Sequence, residues 1–255
     1  MRSLVLVAHG SRDPRAAAAT RALATVVAAA RPGLSVRAAF LEHALPRPAQ
    51  MLAALEGEGR PGAVVVPLLM TSAYHGRVDI PALLAAARAD GLRMPVAVAD
   101  VLGPVAGEVH PSLMAGLCRR LSEVDGADGG FDAVVLAAAG TRDTAARETV
   151  AYAGAALGER LGVPVEAAYA SAAAPTPGEA VARLRAAGAR RVAVAAYFLA
   201  PGRLYETAAD SARAAGAVGV AAPLCDAAEL ADLVLARADA AAAPTPADLG
   251  LVMVS

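Results

Sequence analysis

Short apolar runs alternate along the chain with longer segments whose apolar residues recur at helical spacing. Leu23, Val26, Val27 and Ala30 follow the i, i+3, i+4, i+7 pattern of one helix face. In the first half, the apolar runs predict strands over residues 4–7, 34–41, 63–69 and 96–99. The segments between them predict helices after residue 14 and over residues 46–55, 81–89 and 105–121. This alternation with short links indicates an α/β fold built on parallel sheets.

The first of these strands leads directly to a histidine. Residues 4–7 are uniformly apolar, which is typical of a strand buried on both faces of a parallel sheet. Gly10 allows a sharp turn, and Asp13 followed by Pro14 predicts the N-terminus of a helix. We therefore expect His9 just beyond the carboxyl end of a strand, where open α/β sheets bind their ligands.

The same pattern begins again in the second half of the chain. Ala-Ala-Gly-Thr-Arg-Asp at 138–143 restates Ala-His-Gly-Ser-Arg-Asp at 8–13, at an offset of 139 − 9 = 130 positions. Residues 169–177 repeat residues 40–48, including both prolines. We predict an internal duplication that gives two similar domains, each with a parallel sheet of about four strands flanked by helices. The expected domains are residues 1–125 and 130–243, followed by a tail over 244–255.

The two halves differ in their histidines. All four histidines lie in the first half, where Ala139 later replaces His9 and Tyr205 replaces His75. A scaffold that keeps its turns and helix caps but holds its imidazoles in one half favours chemistry in that half. The alternative is chance loss of histidines in an alanine-rich sequence.

Composition excludes several classes of partner. The net charge of -1, with acidic and basic residues interspersed, gives no nucleic-acid footprint. No apolar stretch approaches the roughly 20 residues of a bilayer span, so we expect no membrane partner. Cys118 and Cys225 lie far apart with no metal-ligand spacing, which favours a reduced, cytoplasmic location.

Three segments of the first half carry a family resemblance. They read Ala-His-Gly-Ser-Arg-Asp-Pro-Arg at 8–15, Phe-Leu-Glu at 40–42, and Val-Pro-Leu-Leu-Met-Thr-Ser-Ala-Tyr-His-Gly-Arg-Val-Asp-Ile-Pro at 66–81. Together they resemble the sirohydrochlorin chelatases, class II tetrapyrrole chelatases, in their long two-domain form. The resemblance implies a chelatase-type, flavodoxin-like fold in each half. It also implies a lyase, a ferrochelatase or cobaltochelatase, that inserts Fe2+ or Co2+, and in some members Ni2+, into sirohydrochlorin during sirohaem or cobalamin biosynthesis.

The resemblance also implies an active site in the first half. His9 and His75 match the family's catalytic and metal-handling histidines, and Glu42 matches an acidic residue of the same cleft. The metal would be a substrate, with no permanently bound cofactor. Neutral imidazoles, with an unperturbed pKa of about 6.5, suit both metal transfer and proton removal. The alternative for Glu42 is a solvated loop residue, and His43 and His110 are predicted to be surface or capping residues.

Sirohydrochlorin carries several carboxylates, so the resemblance implies a pocket that presents cations and polar groups. Arginine binds carboxylates in bidentate fashion, and the chain contains no lysine. The candidate substrate-binding residues are Ser11, Arg12, Arg47, Ser72, Tyr74 and Arg77. Each arginine is also compatible with a solvated surface charge, and Arg12 recurs as Arg142 in the half without histidines.

Two other functions compete with a chelatase. The same residues would suit a non-catalytic metal or tetrapyrrole carrier. A histidine phosphatase would require arginine directly before the histidine, where this chain has Ala8.

We expect the strand ends of both domains to face one cleft, so that a monomer acts as a pseudo-dimer.

Overall fold

The computed structural model describes residues 3–71, 80–124, 130–225 and 227–242, and it contains two parallel four-stranded sheets. The first sheet has the order β2-β1-β3-β4 and the second the order β6-β5-β7-β8. The strands of the first sheet are β1 (Ser3–Ala8), β2 (Val36–Phe40), β3 (Ala63–Pro67) and β4 (Val96–Val98). Those of the second are β5 (Ala133–Ala138), β6 (Val165–Tyr169), β7 (Val192–Tyr197) and β8 (Gly219–Val220). The predicted α/β class with two similar parallel sheets is confirmed.

Helices follow the strands in both halves. The first half contains α1 (Pro14–Ala30), α2 (Pro48–Gly57), α3 (Ile80–Ala89) and α4 (Pro111–Ser122). The second contains α5 (Thr144–Leu161), α6 (Pro177–Ala186), α7 (Arg203–Ala214) and α8 (Ala228–Ala242). Among the residues described, no helix is long and apolar enough to cross a membrane.

One helix begins later than its apolar pattern predicts. We expected a helix over residues 105–121, but α4 starts only at Pro111. Val105 instead forms an isolated antiparallel bridge with Glu108, and His110 caps the helix. Proline at the first helical position fixes the start, because its missing N–H would have no partner there in any case.

The repeat is visible in unusual backbone geometry. Gly10 and Gly140 have φ of 96° and 94°, and the peptide bonds Leu45–Pro46 and Ala174–Pro175 are both cis. A Cβ on Gly140 would lie 1.9 Å from the carbonyl oxygen of Ser171, and one on Gly10 would lie 1.9 Å from that of Glu42. The loop after the first strand of each sheet is therefore pressed against the loop after the second strand, and only glycine fits.

The last helix of each half packs against the other half. Helix α8 contacts α1, β3 and β4 of the first half, while α4 contacts β7 and α5 of the second. One hydrophobic core consequently runs between the two sheets and includes Leu6 of β1 and Leu136 of β5. Two smaller cores cover the outer sheet faces, one beneath α2 and α3 and the other beneath α6 and α7. The sequence pattern did not predict this exchange.

Arginine–carboxylate pairs also join the halves. Arg31 makes a bidentate contact with Asp239 at 2.6 and 2.7 Å, and Arg119 makes another with Glu229 at 2.7 and 3.1 Å. The domain division stays a prediction, because residues 125–129 of the linker and the tail over 244–255 lie outside the described residues.

The close approach at Gly140 predicts a large cost for adding one methyl group. Gly140→Ala should lower the free energy of unfolding by about 3 kcal/mol or more, because its Cβ would overlap a backbone oxygen and its φ is strained. Gly162→Ala is the control, since Gly162 has φ of 69° but a Cβ added there would meet no atom within 4 Å. The free energy of unfolding of Gly162→Ala should fall by about 1 kcal/mol. Equal losses in urea denaturation would contradict the argument.

Candidate functional site

Two cavities lie between the halves at the carboxyl ends of the strands. The smaller has a volume of about 150 Å³ and is lined by His9, Thr20 and Phe40 of the first half. Its other wall comes from the second half, through Leu199 and Cys225. The strand ends of both halves therefore face each other, as the repeat predicts.

The larger cavity, of about 340 Å³, is the repeat counterpart of the smaller one. Ala139, Val150 and Tyr169 line it at the positions that His9, Thr20 and Phe40 occupy in the smaller cavity. Met70 and Thr71 of the first half complete its wall, and Leu68 and Leu199 line both cavities. The molecule thus keeps two related cavities, of which only the smaller has an imidazole at this position.

His9 lies at the mouth of the smaller cavity and is exposed. Its carbonyl oxygen accepts a hydrogen bond from the Glu42 amide at 2.8 Å, so the loops after β1 and β2 are in direct contact. The carboxylate of Glu42 lies 3.3 Å from Nε2 of His43, and its side chain is 58% exposed. The structure therefore brings the backbone of the two predicted residues together while leaving the Glu42 carboxylate in solvent.

The predicted metal site is only partly within the described residues. Among these, no group of three or more His, Cys, Asp or Glu side chains could hold a metal ion. His75 lies outside them, as do the substrate-binding candidates Ser72, Tyr74 and Arg77. The assignment of His9, His75 and Glu42 as metal-handling residues therefore stays a prediction.

The substrate-binding candidates of the described part have clear local contacts. Ser11 accepts a hydrogen bond from the Asp13 amide at 3.1 Å, and Arg12 is exposed. Arg47 stands at the N-terminus of α2, and its guanidinium donates to the carbonyl of Leu41. Arg47 therefore braces the loop that carries Glu42, and a role in substrate binding stays a prediction.

A contact from the second half reaches the start of α1, next to the predicted substrate-binding residues Ser11 and Arg12. Glu206 pairs with Arg15 at 2.5 Å, and Arg15 also pairs with Asp13, the cap of α1. The Arg15 guanidinium lowers the pKa of the Asp13 carboxyl, mainly through its side-chain hydrogen bond. The sequence places Arg15 beside a helix start, but no motif in it points to Glu206.

Tyr205 is the counterpart of His75 in the repeat, and its side chain makes contacts within the second half. Its hydroxyl donates to the carbonyl of Ala221 at 3.1 Å, and its ring packs edge-on against Phe198. Burial raises the pKa of the Tyr205 hydroxyl. These contacts lie within the second half and suit a residue that shapes the fold.

The family model CbiX matches residues 3–124 and again residues 133–241. The chain belongs to the CbiX family. Each half matches the model separately, which agrees with the duplication seen in the two sheets and their turns. The predicted membership of the chelatase family is therefore confirmed.

Two curated proteins resemble this CbiX-family protein in sequence, and a solved structure resembles it in fold. A sirohydrochlorin cobaltochelatase from Methanococcoides burtonii is 29% identical over 130 residues, 48% of this chain and 95% of the relative. One from Priestia megaterium is 26% identical over 208 residues, 80% of this chain and 66% of the relative. The structure of SirB from Bacillus subtilis with Fe3+ superposes with a TM-score of 0.79 at 21% identity, covering 95% of this chain and 96% of SirB. The last likeness supports the two-sheet fold across nearly the whole chain.

His110 is the second of the two histidines predicted to be surface or capping residues, and it caps α4. Its Nδ1 accepts a hydrogen bond from the Ser112 amide at 3.2 Å. Burial lowers the pKa of His110, the positive charge of Arg237 lowers it further, and Asp232 opposes the change. The imidazole therefore stays neutral in the folded protein over a pH range in which the unfolded chain binds a proton.

This lowered pKa predicts a specific loss of stability in mild acid. As pH falls below about 6.5, His110 binds a proton in the unfolded state but remains neutral in the folded state. The free energy of unfolding should therefore fall. His110→Asn keeps a good N-cap residue and removes the titration. Urea denaturation at pH 7.5 and 5.5 should show a smaller acid loss in His110→Asn than in the parent, and equal losses would contradict the assignment.

Proposed function

We propose that this CbiX-family protein is a sirohydrochlorin chelatase that inserts a divalent metal ion into the tetrapyrrole, on the route to cobalamin or sirohaem. The observation that carries the proposal is the pair of repeat-related cavities: among the described residues that line them, only the smaller has an imidazole, that of His9. The names of the two curated relatives support the same reaction. The metal is a substrate in this proposal and leaves with the product.

The chemistry requires a metal carrier and a proton acceptor. Sirohydrochlorin releases two pyrrole N–H protons as the metal ion binds its four nitrogens. In the proposal, the imidazoles of His9 and His75 take the metal from water and accept these protons. Glu42 lies on the loop after β2, whose backbone contacts that of His9. In the proposal, its carboxylate adds a negative charge that favours a divalent cation.

The remaining predicted residues would hold the substrate. The cavities are lined mainly by apolar side chains, which suit the flat faces of a macrocycle. We propose that Ser11, Arg12, Arg47, Ser72, Tyr74 and Arg77 contact its peripheral carboxylates. Nη1 of Arg47 already donates to the carbonyl of Leu41, so its contact with a carboxylate would come from the rest of the guanidinium.

The metal would be Fe2+ or Co2+, with Ni2+ as a third candidate. Imidazole nitrogen and carboxylate oxygen bind all three ions, and their intrinsic affinities follow the general order for divalent metals. The decisive experiment is anaerobic incubation of purified protein with sirohydrochlorin and each ion, followed by absorbance. Turnover of many substrate molecules per protein supports an enzyme, whereas one equivalent bound without turnover supports a carrier.

The asymmetry of the cavities predicts the effect of removing one imidazole. His9→Ala should lower kcat about 100-fold or more, because a methyl group can neither bind the metal nor accept a proton. His43→Asn is the control, since asparagine tolerates the left-handed backbone found there, with φ of 60°. That variant should keep nearly full activity. Full activity of His9→Ala, measured by absorbance, would remove His9 from the proposed site.

The shared cleft also predicts the oligomeric state. Each cavity already has walls from both halves, so a second chain is not needed to complete the site. We expect a monomer by light scattering at micromolar concentration, with activity per chain independent of dilution. A stable dimer whose activity falls on dilution would contradict this expectation.

A further inference from the structure

The backbone that follows β3 is held from the second half of the molecule. The carbonyl of Met70 accepts a hydrogen bond from the Tyr197 hydroxyl at 3.2 Å, across 127 positions of sequence. Met70 and Thr71 line the larger cavity, and the chain continues from Thr71 toward His75. A residue at the end of β7 thus fixes the place where the first half leaves its sheet.

Tyr197 is suited to a permanent contact of this kind. Its side chain lies at the end of β7 and is 2% exposed. Burial raises the pKa of its hydroxyl above the usual range, so the group is a proton donor at neutral pH. A buried hydroxyl that lost its acceptor would pay the cost of desolvation without compensation, which favours keeping the bond to Met70.

A glycine brings the same backbone still closer. A Cβ on Gly103 would lie 1.8 Å from the Met70 carbonyl oxygen and 3.2 Å from the Tyr197 hydroxyl. The amide of Leu102 also donates to the carbonyl of Leu69 at 2.9 Å. The segment after β3 is therefore enclosed between β7 and the loop after β4, with no room for a side chain at residue 103.

The second half holds that loop as well. Arg237, on the exchanged helix α8, donates from Nη2 to the carbonyl of Gly103 at 3.1 Å. Tyr197 and Arg237 thus act on two sides of one backbone junction, one on the Met70 carbonyl and the other on its neighbour Gly103. Neither residue was a sequence candidate, because both contacts join distant parts of the chain.

We infer that Tyr197 is a positioning residue for the site, with Arg237 supporting it through Gly103. This inference rests on the proposed chelatase function for its kinetic consequence, but its structural part stands apart from that function. The half without histidines serves the reaction by fixing residues 69–71, which line the larger cavity and directly follow Leu68, a residue of the wall that both cavities share. A displacement of about 1 Å at such a wall is enough to slow a reaction substantially.

The test compares two tyrosines whose hydroxyls both donate to a carbonyl. Tyr197→Phe removes the bond to Met70 and keeps the ring, whereas Tyr205→Phe removes the bond to Ala221 within the second half. Hydrogen exchange of the full-length protein, read by mass spectrometry, reports on peptides that cover residues 68–71. Steady-state kinetics with sirohydrochlorin and Co2+ give kcat and KM for the same samples.

Tyr197→Phe should speed exchange over residues 68–71 about fivefold, the effect of losing one hydrogen bond. It should also lower kcat about tenfold while exchange in α6 and α7 is unchanged. Tyr205→Phe should leave exchange at 68–71 and kcat near the parent values. Unchanged exchange and unchanged kcat in Tyr197→Phe would overturn the inference, and faster exchange with full kcat would reduce Tyr197 to a purely structural residue and overturn it too.

The experiment also decides the inference if the parent protein is inactive or if Tyr197→Phe does not fold. If the parent protein shows no turnover, the proposed function fails, and the exchange at 68–71 still decides whether Tyr197 holds the segment. If Tyr197→Phe unfolds, Arg237→Met replaces it, since methionine keeps the apolar stem and loses the donor to Gly103 together with the positive charge. That variant should show the same local increase in exchange at a smaller size, and no local increase would overturn the inference.

Discussion

The exchange of the last helices is the constraint on which the rest of the structure depends. Neither sheet covers its inner face with helices of its own half alone, because α8 lies on the first sheet and α4 reaches the second. Six residues of α8 are buried: Leu230, Ala231, Leu233, Val234, Leu235 and Ala238. Full burial of one leucine or valine contributes about 1.5–3 kcal/mol. The junction is therefore a hydrophobic core, unlike the more polar contacts that usually join independent domains.

This shared core determines the geometry of the site. Each cavity takes a wall from both halves, so any rotation of one half against the other would have to deform a packed interior. The bidentate pairs Arg31–Asp239 and Arg119–Glu229 add directional contacts at the edges of the same junction. The cleft between the halves is thereby preorganised, which suits the proposed reaction, in which a metal ion and a macrocycle must meet at a fixed distance.

The sequence predicted the features that depend on local chemistry. Residue types and spacing were enough to predict three features: the register of the repeat, the caps at Asp13 and Asp143, and the place of His9 beyond β1. The helix exchange could not, because hydrophobic periodicity shows which face of a helix is buried but not which sheet covers it. The bond from Tyr197 to Met70 was hidden for the same reason, since a tyrosine in an apolar run gives no indication of its distant acceptor.

The different constraints on scaffold and chemistry explain how the halves have diverged. Gly140 is required by the close approach of two loops and Asp143 by the start of α5, so the second half keeps them whatever it binds. Ala139 stands where His9 stands in the first half, beside a glycine of nearly the same φ, so losing the imidazole leaves the fold unchanged. Residues that reach across the cleft are constrained by the other half, because the Tyr197 hydroxyl donates to the backbone of Met70 in the first half. A half without an imidazole at this position can thus still be required, through its core and its contacts, by the half that has one.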